Sequence, residues 1–214
     1  MKLYTYWRST AAYRVRIALN LKGIEAEMVP VDLVKDGGQQ HSPDYLALNP
    51  AHLVPTLVLD DGTALTQSLA IIDYLEALWP APALLPADPV ARAQVLAAAH
   101  LVAMDIHPVN NLRVVQHLGE TYDATPEDKA AWMRHWMARG FDALQAMVRP
   151  DTPFAFGEAP GLADICLVAQ MYNAHRWGLD LAPYARLCEI ETRCAALPAF
   201  AEAAPEKQPD AAQA

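Results

Sequence analysis

The segment Trp7-Arg8-Ser9-Thr10-Ala11-Ala12-Tyr13 sets two hydroxyls, Ser9 and Thr10, beside an arginine where a β-leaning run gives way to helical periodicity. At a helix N-terminus the first N–H groups lack intrahelical partners and carry partial positive charge, so a hydroxyl there can cap the helix or donate to the sulfur of an external thiol. A free thiol, with a pKa of about 8.5, is barely ionised at neutral pH, and lowering it by one unit takes about 1.4 kcal/mol of preference for the thiolate. One charge-assisted hydrogen bond and the helix end contribute roughly 1.5 to 3 and up to about 1 kcal/mol, enough for that. The loop holds no cysteine, which excludes a dithiol oxidoreductase. Gln67-Ser68 precedes the helical run SLAIIDYL, where free N–H groups and the Ser68 hydroxyl could hold a carboxylate or simply form a cap. Farther on, His107 and Asn111 stand four apart and share a face if their segment is helical. Arg8 and Arg176 could grip carboxylates bidentately or lie along the surface.

These residues need a scaffold, and the pattern around them supplies one. Residues 2 to 7 (KLYTYW) lean to strand; after Ser9 the positions Val15, Ala18 and Leu19 fall on one helical face, with Gly23 as the stop. Residues 25 to 31 can form a second strand that Pro30 places at an edge or an end, and residues 32 to 40 read as loop. Ser42-Pro43-Asp44 starts a short helix closed by Asn49-Pro50; Thr56–Leu59 and Ala64-Leu65 flank a hairpin turn, and a helix follows Ser68. The order is βαβ, then ββα, with a parallel first pair and a mixed sheet. The fold class is α/β, thioredoxin-like, over residues 1–80. A proline-rich linker, 81–89, leads to an all-α domain over residues 90–214. There a long helix breaks at Pro108, a capping box opens another at Thr125, and Trp132, Trp136, Phe141 and Leu144 read as its core. An apolar helix runs from Gly161-Leu162-Ala163-Asp164 to about Trp177, and the tail from Pro205 reads as frayed.

The chain has 214 residues, 53% hydrophobic and 19% charged, enough to bury a sizeable core. Its net charge of -9 and scattered basic residues argue against nucleic acid or an anionic membrane as partner. No long uncharged apolar run occurs, and Met1-Lys2-Leu3-Tyr4 enters a strand directly, so the expectation is a cytoplasmic protein. Three cysteines without CxxC spacing read as idle thiols, and no metal is expected.

The loop and the helix after it, Ser9-Thr10-Ala11 then Tyr13 and RVRIAL from Arg14 to Leu19, resemble the zeta-class glutathione transferases and maleylacetoacetate (maleylpyruvate) isomerases. The resemblance continues through DGGQQHSPDYLALNP, Leu53-Val54-Pro55, Gln67-Ser68 and Asp105–Arg113, and covers nearly the whole chain. It implies glutathione as cofactor, Ser9 as the hydroxyl that stabilises its thiolate and Thr10 as a second hydroxyl. Ala11 stands where the family has cysteine. The resemblance further implies Gln40 as a ligand, a cis Val54-Pro55 peptide whose Val54 backbone meets the cysteinyl part, and Gln67 and Ser68 at the γ-glutamyl end. His107, Asn111 and Arg113 become further ligands, and Arg176 and Arg8 the partners of a small dicarboxylate. Asp164 matches a buried capping aspartate, with Gly161 in place of Ser or Thr. The implied activity is cis–trans isomerisation of maleylacetoacetate or maleylpyruvate in aromatic-compound catabolism, by a homodimer. The rivals are a transferase or dehalogenase that consumes glutathione and a binding protein without turnover.

Overall fold

The computed structural model describes residues 1–213, which fall into two compact units, Met1–Ala83 with Ala196–Ala214, and Leu84–Ala195. In the first, strands β1 (Lys2–Thr5), β2 (Glu27–Pro30), β3 (Thr56–Val58) and β4 (Ala64–Thr66) form one sheet in the order β2-β1-β3-β4. β1 runs parallel to β2 and antiparallel to β3, and β3 is antiparallel to β4. Pro30 is the last residue of the edge strand β2, where its missing N–H breaks no ladder. Helices α1 (Thr10–Lys22), α2 (Pro43–Leu48) and α3 (Ser68–Leu78) complete the βαβ and ββα halves. Gly23 ends α1 in the left-handed region at φ 64, a conformation that favours glycine.

Val15, Ala18 and Leu19 are buried as their spacing requires, but so are Arg14, Arg16 and Lys22. Arg16 is covered by the far end of the chain, whereas Arg14 and Lys22 meet α3 and the turn that follows it. Helix α9 (Pro198–Ala203) packs on α1 from another side than α3 does, so polar residues of α1 find their partners inside the fold. Lys22 Nζ reaches Glu76 at 2.6 Å and donates to the Trp79 and Pro82 carbonyls. The tail beyond Pro205 is not frayed, since it winds through two 3-10 turns, Pro205–Lys207 and Pro209–Gln213. In α3 the buried face is Ile71, Ile72 and Leu75, while Leu78 and Trp79 stay exposed.

The second unit is helical: α4 (Pro89–His100), α5 (Leu112–Tyr122), α6 (Pro126–Met147), α7 (Leu162–Arg176) and α8 (Ala185–Ala195). Thr125 and Asp128 cap α6 reciprocally, as their spacing predicts. The core face of α6 is Met133, Met137, Phe141 and Leu144. Trp132 and Trp136 are only half-buried, and the Trp132 indole donates to the Val109 carbonyl at 2.8 Å. After His100 the chain widens into a π-helical turn over Leu101–Ile106 before Pro108, which carries no N–H to continue an α-helix. Among the described residues no helix is long and apolar enough to cross a membrane.

Candidate functional site

Ser9 is the N-cap of α1: its backbone is extended (φ -69, ψ 114) and its Oγ accepts the Ala12 N–H at 3.2 Å. The capping bond uses a lone pair, so the hydroxyl proton is left to donate outward. Thr10, first residue of the helix, is buried, whereas Arg8, Ser9 and Ala11 are half-buried. Arg8 lies over the Trp7 ring at 4.6 Å and donates to the Tyr6 hydroxyl at 3.0 Å, which holds a cation beside Ser9.

The loop leading to Ser9 has no regular structure and is secured by residues whose role the sequence did not disclose. The buried Arg16 guanidinium donates to the Thr5 hydroxyl and to the Trp7 and Ala203 carbonyls at 3.0–3.1 Å. The Asp210 carboxylate accepts the Trp7 N–H at 2.9 Å. Asp210→Ala therefore removes a charged acceptor from a half-buried amide, and a melting experiment is expected to show a midpoint about 2–4 °C lower.

The segment before α2 is organised by Asp32, whose carboxylate accepts the N–H groups of Val34 and Lys35 and is held below the usual carboxylate range chiefly by the Lys35 N–H. This turn carries the chain to Gln40, whose side chain is buried. Its Nε2 lies 3.3 Å from the Leu33 carbonyl and 3.1 Å from His41 Nε2, while its Oε1 has no hydrogen-bond partner. A buried acceptor left open is rare in a folded protein. Next, Asn49 Nδ2 and the Tyr45 hydroxyl both donate to the Leu53 carbonyl, at 2.7 and 2.6 Å, and both contact Thr56 Oγ1. They fix the turn into Val54-Pro55, which is cis. Val54, Tyr6, Val31 and Tyr45 form one buried cluster, against which Trp7 and Leu33 pack. The Ser9 loop, the Gln40 loop and the Val54 turn thus share one apolar footing.

Gln67, not Ser68, occupies the N-cap position of α3, with φ 68 in the left-handed region; Ser68 is the first helical residue. The strain of that backbone, about 1–3 kcal/mol for a side chain other than glycine, is the kind retained where a binding loop needs it. The Ser68 hydroxyl accepts from Arg14 Nη1 at 3.3 Å, so the free N–H groups of α3 lie next to a buried cation. That adds to the positive character expected of the helix end alone.

In the second unit, Asn111 caps α5, its Oδ1 accepting the Arg113 N–H at 3.2 Å. His107 precedes a 3-10 turn over Pro108–Asn110, and the Asn111 backbone is extended. The shared helical face expected for His107 and Asn111 does not exist, because the proline turn separates them. Arg113 and Arg176 are exposed, and the Arg176 guanidinium lies 5.1 Å from the centre of the Trp177 ring.

Asp164, at the third position of α7, accepts the Gly161 N–H at 2.9 Å and the Ala155 N–H at 2.7 Å. Gly161 has a positive reason to replace Ser or Thr. A Cβ there would stand 2.9 Å from the Leu84 carbonyl oxygen, which instead comes close enough to accept the Leu162 N–H at 2.9 Å.

Residues 8–78 match the family described as "Glutathione S-transferase, N-terminal domain". The chain is 47% identical to maleylacetoacetate isomerase of Pseudomonas aeruginosa, over 98% of each chain. Among solved structures it is similar to a holo maleylpyruvate isomerase, described as a bacterial glutathione S-transferase of the zeta class. There the TM-score is 0.94, with 44% identity over 98% of this chain and 99% of that one. A maleylacetoacetate isomerase from Anaeromyxobacter dehalogenans 2CP-1, with dicarboxyethyl glutathione and citrate in its active site, aligns with a TM-score of 0.86 and 42% identity, covering 98% of this chain and 96% of that chain.

Proposed function

Because this chain belongs to the zeta-class glutathione transferase and maleylacetoacetate isomerase family, we propose that it isomerises maleylacetoacetate or maleylpyruvate from cis to trans with glutathione as cofactor. The observation that carries this reading is the relative's bound dicarboxyethyl glutathione, a thioether between the tripeptide and a four-carbon diacid, joined here to a Ser9 hydroxyl free to donate at the start of α1. The residues fit the tripeptide. The α3 N-terminus with Ser68 and Arg14 offers donors and positive charge to a carboxylate, and Gln40 is assigned to the tripeptide by resemblance.

When bound, glutathione supplies a thiolate that adds reversibly to an activated double bond. Ser9 donates a hydrogen bond to the sulfur and favours the ionised form, and the N–H groups of α1 add to that preference. Arg8, aligned by Trp7 and Tyr6, holds a substrate carboxylate or balances negative charge that develops beside it. Thr10, Val54, Gln67, His107, Asn111, Arg113 and Arg176 are assigned by resemblance as further ligand and substrate residues, each open to test by substitution and glutathione titration. Ala11 removes the cysteine of the family, so no step here is routed through a protein thiol.

Isomerisation returns the cofactor, whereas a transferase or dehalogenase consumes it. With catalytic glutathione and excess maleylacetoacetate, the expected result is many turnovers to the trans isomer with free thiol unchanged by disulfide-exchange assay. Stoichiometric loss of thiol, or no conversion beside an active relative, overturns the reading. The resemblance also supports a homodimer in the cytoplasm, for which sedimentation and cell fractionation are the measurements.

A further inference from the structure

Strand β1 ends at Thr5, so the Trp7 N–H beyond it has no ladder partner; the far end of the chain supplies one, the half-buried Asp210 carboxylate at 2.9 Å. That N–H belongs to the same planar peptide unit as the Tyr6 carbonyl, so holding one end of the plane holds the other. The Tyr6 carbonyl in turn accepts the Ser9 N–H at 2.9 Å and closes the turn that delivers Ser9 to the start of α1. Asp210 thus reaches Ser9 through one rigid plane and one hydrogen bond. Arg16 also approaches the carbonyls of Tyr6, at 3.4 Å, and Trp7, at 3.0 Å, but a guanidinium has no acceptor and cannot stand in for the carboxylate at the N–H.

The segment that carries Asp210 is registered against α1 itself. The Tyr13 hydroxyl donates to the Phe200 carbonyl at 3.4 Å, Arg16 Nε to that of Ala203 at 3.1 Å and Asn20 Nδ2 to that of Ala199 at 3.0 Å. From there the buried Pro205 and the Gln208 side chain, donating to the Glu202 and Ala204 carbonyls at 3.0 Å, lead into the turn Pro209–Gln213 that presents Asp210. The loop before Ser9 and the helix after it are tied to one piece of chain, and the hydroxyl between them takes its place from both.

We infer that Asp210 is a positioning residue for the Ser9 hydroxyl: it fixes the Tyr6–Trp7 peptide plane and with it the point from which Ser9 meets the glutathione sulfur. This rests on the glutathione reading given above. Without the carboxylate the plane is free to turn, the Ser9 N–H loses its carbonyl, and the hydroxyl faces the sulfur from a poorer angle.

The glutathione-bound protein tests this through the thiol, whose titration a merely structural contact would leave alone. In Asp210→Ala the bound thiol, followed by its ultraviolet band, is expected to titrate about half to one unit higher than in wild type, and the kcat–pH profile should move up by the same amount with its high-pH plateau kept. Asp210→Asn, whose side-chain oxygen accepts the same N–H, should recover most of the shift. Gln208→Ala loosens the presenting turn without touching the carboxylate and should move the titration in the same direction by less, whether or not Asp210→Ala folds well. On top of Ser9→Ala, Asp210→Ala should add no further rise, since it acts through that hydroxyl. A lower melting midpoint with the titration unmoved in both Asp210→Ala and Gln208→Ala, a shift that asparagine does not relieve, or one that adds in full to that of Ser9→Ala would overturn the inference while leaving the isomerase reading intact. A wild-type protein that binds no glutathione would overturn both.

Discussion

Replacing Ser9 by alanine is expected to lower the isomerisation rate about ten- to a hundredfold, the effect of removing one charge-assisted hydrogen bond worth roughly 1.5–3 kcal/mol. The geometry complicates the experiment, since Ser9 also caps α1 through the Ala12 N–H. A cap lost to alanine costs about 1 kcal/mol of stability, but one lost to glycine only a few tenths. The pair Ser9→Ala and Ser9→Gly therefore separates the two roles: both should lose the rate equally, while only the alanine variant melts clearly lower. Ultraviolet titration of the bound thiol gives the third reading. Its pKa should rise by about one unit or more in both variants, and the rate deficit should shrink as pH is raised and the thiolate forms without help. A bound thiol that titrates identically in all three proteins would remove Ser9 from the chemistry and leave it a cap.

The places of Ser9 and Ser68 at helix starts could be read from the sequence because their signals are local, whereas Gln40 was singled out only by the family resemblance. A hydroxyl at a strand-to-helix junction and a serine before an apolar helix each carry their meaning within a few residues. The framework that holds them could not be read in this way. Arg16 spends its guanidinium on carbonyls of Trp7 and Ala203, and Asp210 accepts from the Trp7 backbone some two hundred residues away. Backbone partners leave no mark in residue type. The 2.9 Å contact between His41 Nδ1 and His52 Nδ1 was hidden for a related reason: it needs the fold to bring two loops together, and His52 to adopt a left-handed backbone that nothing in Ala51-His52-Leu53 announces. Where periodicity was the guide, one buried stripe was expected of each helix, which placed Trp132 and Trp136 in the core of α6. The structure instead puts Met133 and Met137 there and gives the larger rings half-exposed sites. Gly161 shows the limit most plainly. As sequence it is a weaker cap, while in space it is the opening through which the Leu84 carbonyl reaches α7.

Asp164→Ala is expected to be the most destabilising single change, by roughly 2–5 kcal/mol, since it strands the buried N–H of Ala155 and the half-buried N–H of Gly161, at about 1–3 kcal/mol each. Asp164→Asn preserves the shape and one acceptor but turns an NH2 toward the other donor, so it should fall between wild type and alanine. Arg186 will not compensate, because its guanidinium is engaged with the Arg149, Thr152 and Phe154 carbonyls of the same loop. Two forces act on the carboxyl in opposite directions. Burial pushes its pKa up and the Gly161 and Ala155 N–H groups pull it down; burial outweighs them and leaves it raised from 3.8 to about 6. The folded protein then holds this proton between pH 3.8 and about 6 while the unfolded chain has released it. Stability then falls as pH rises through that window and is level above it. The stability gap between wild type and Asp164→Ala, measured by urea unfolding, should accordingly be wider near the lower edge of the window than at neutral pH, by up to roughly 3 kcal/mol. A gap that widens with rising pH would show that the two N–H groups outweigh burial and that the carboxylate is charged throughout, which would reverse the sign of the pH dependence and leave the alanine penalty in place.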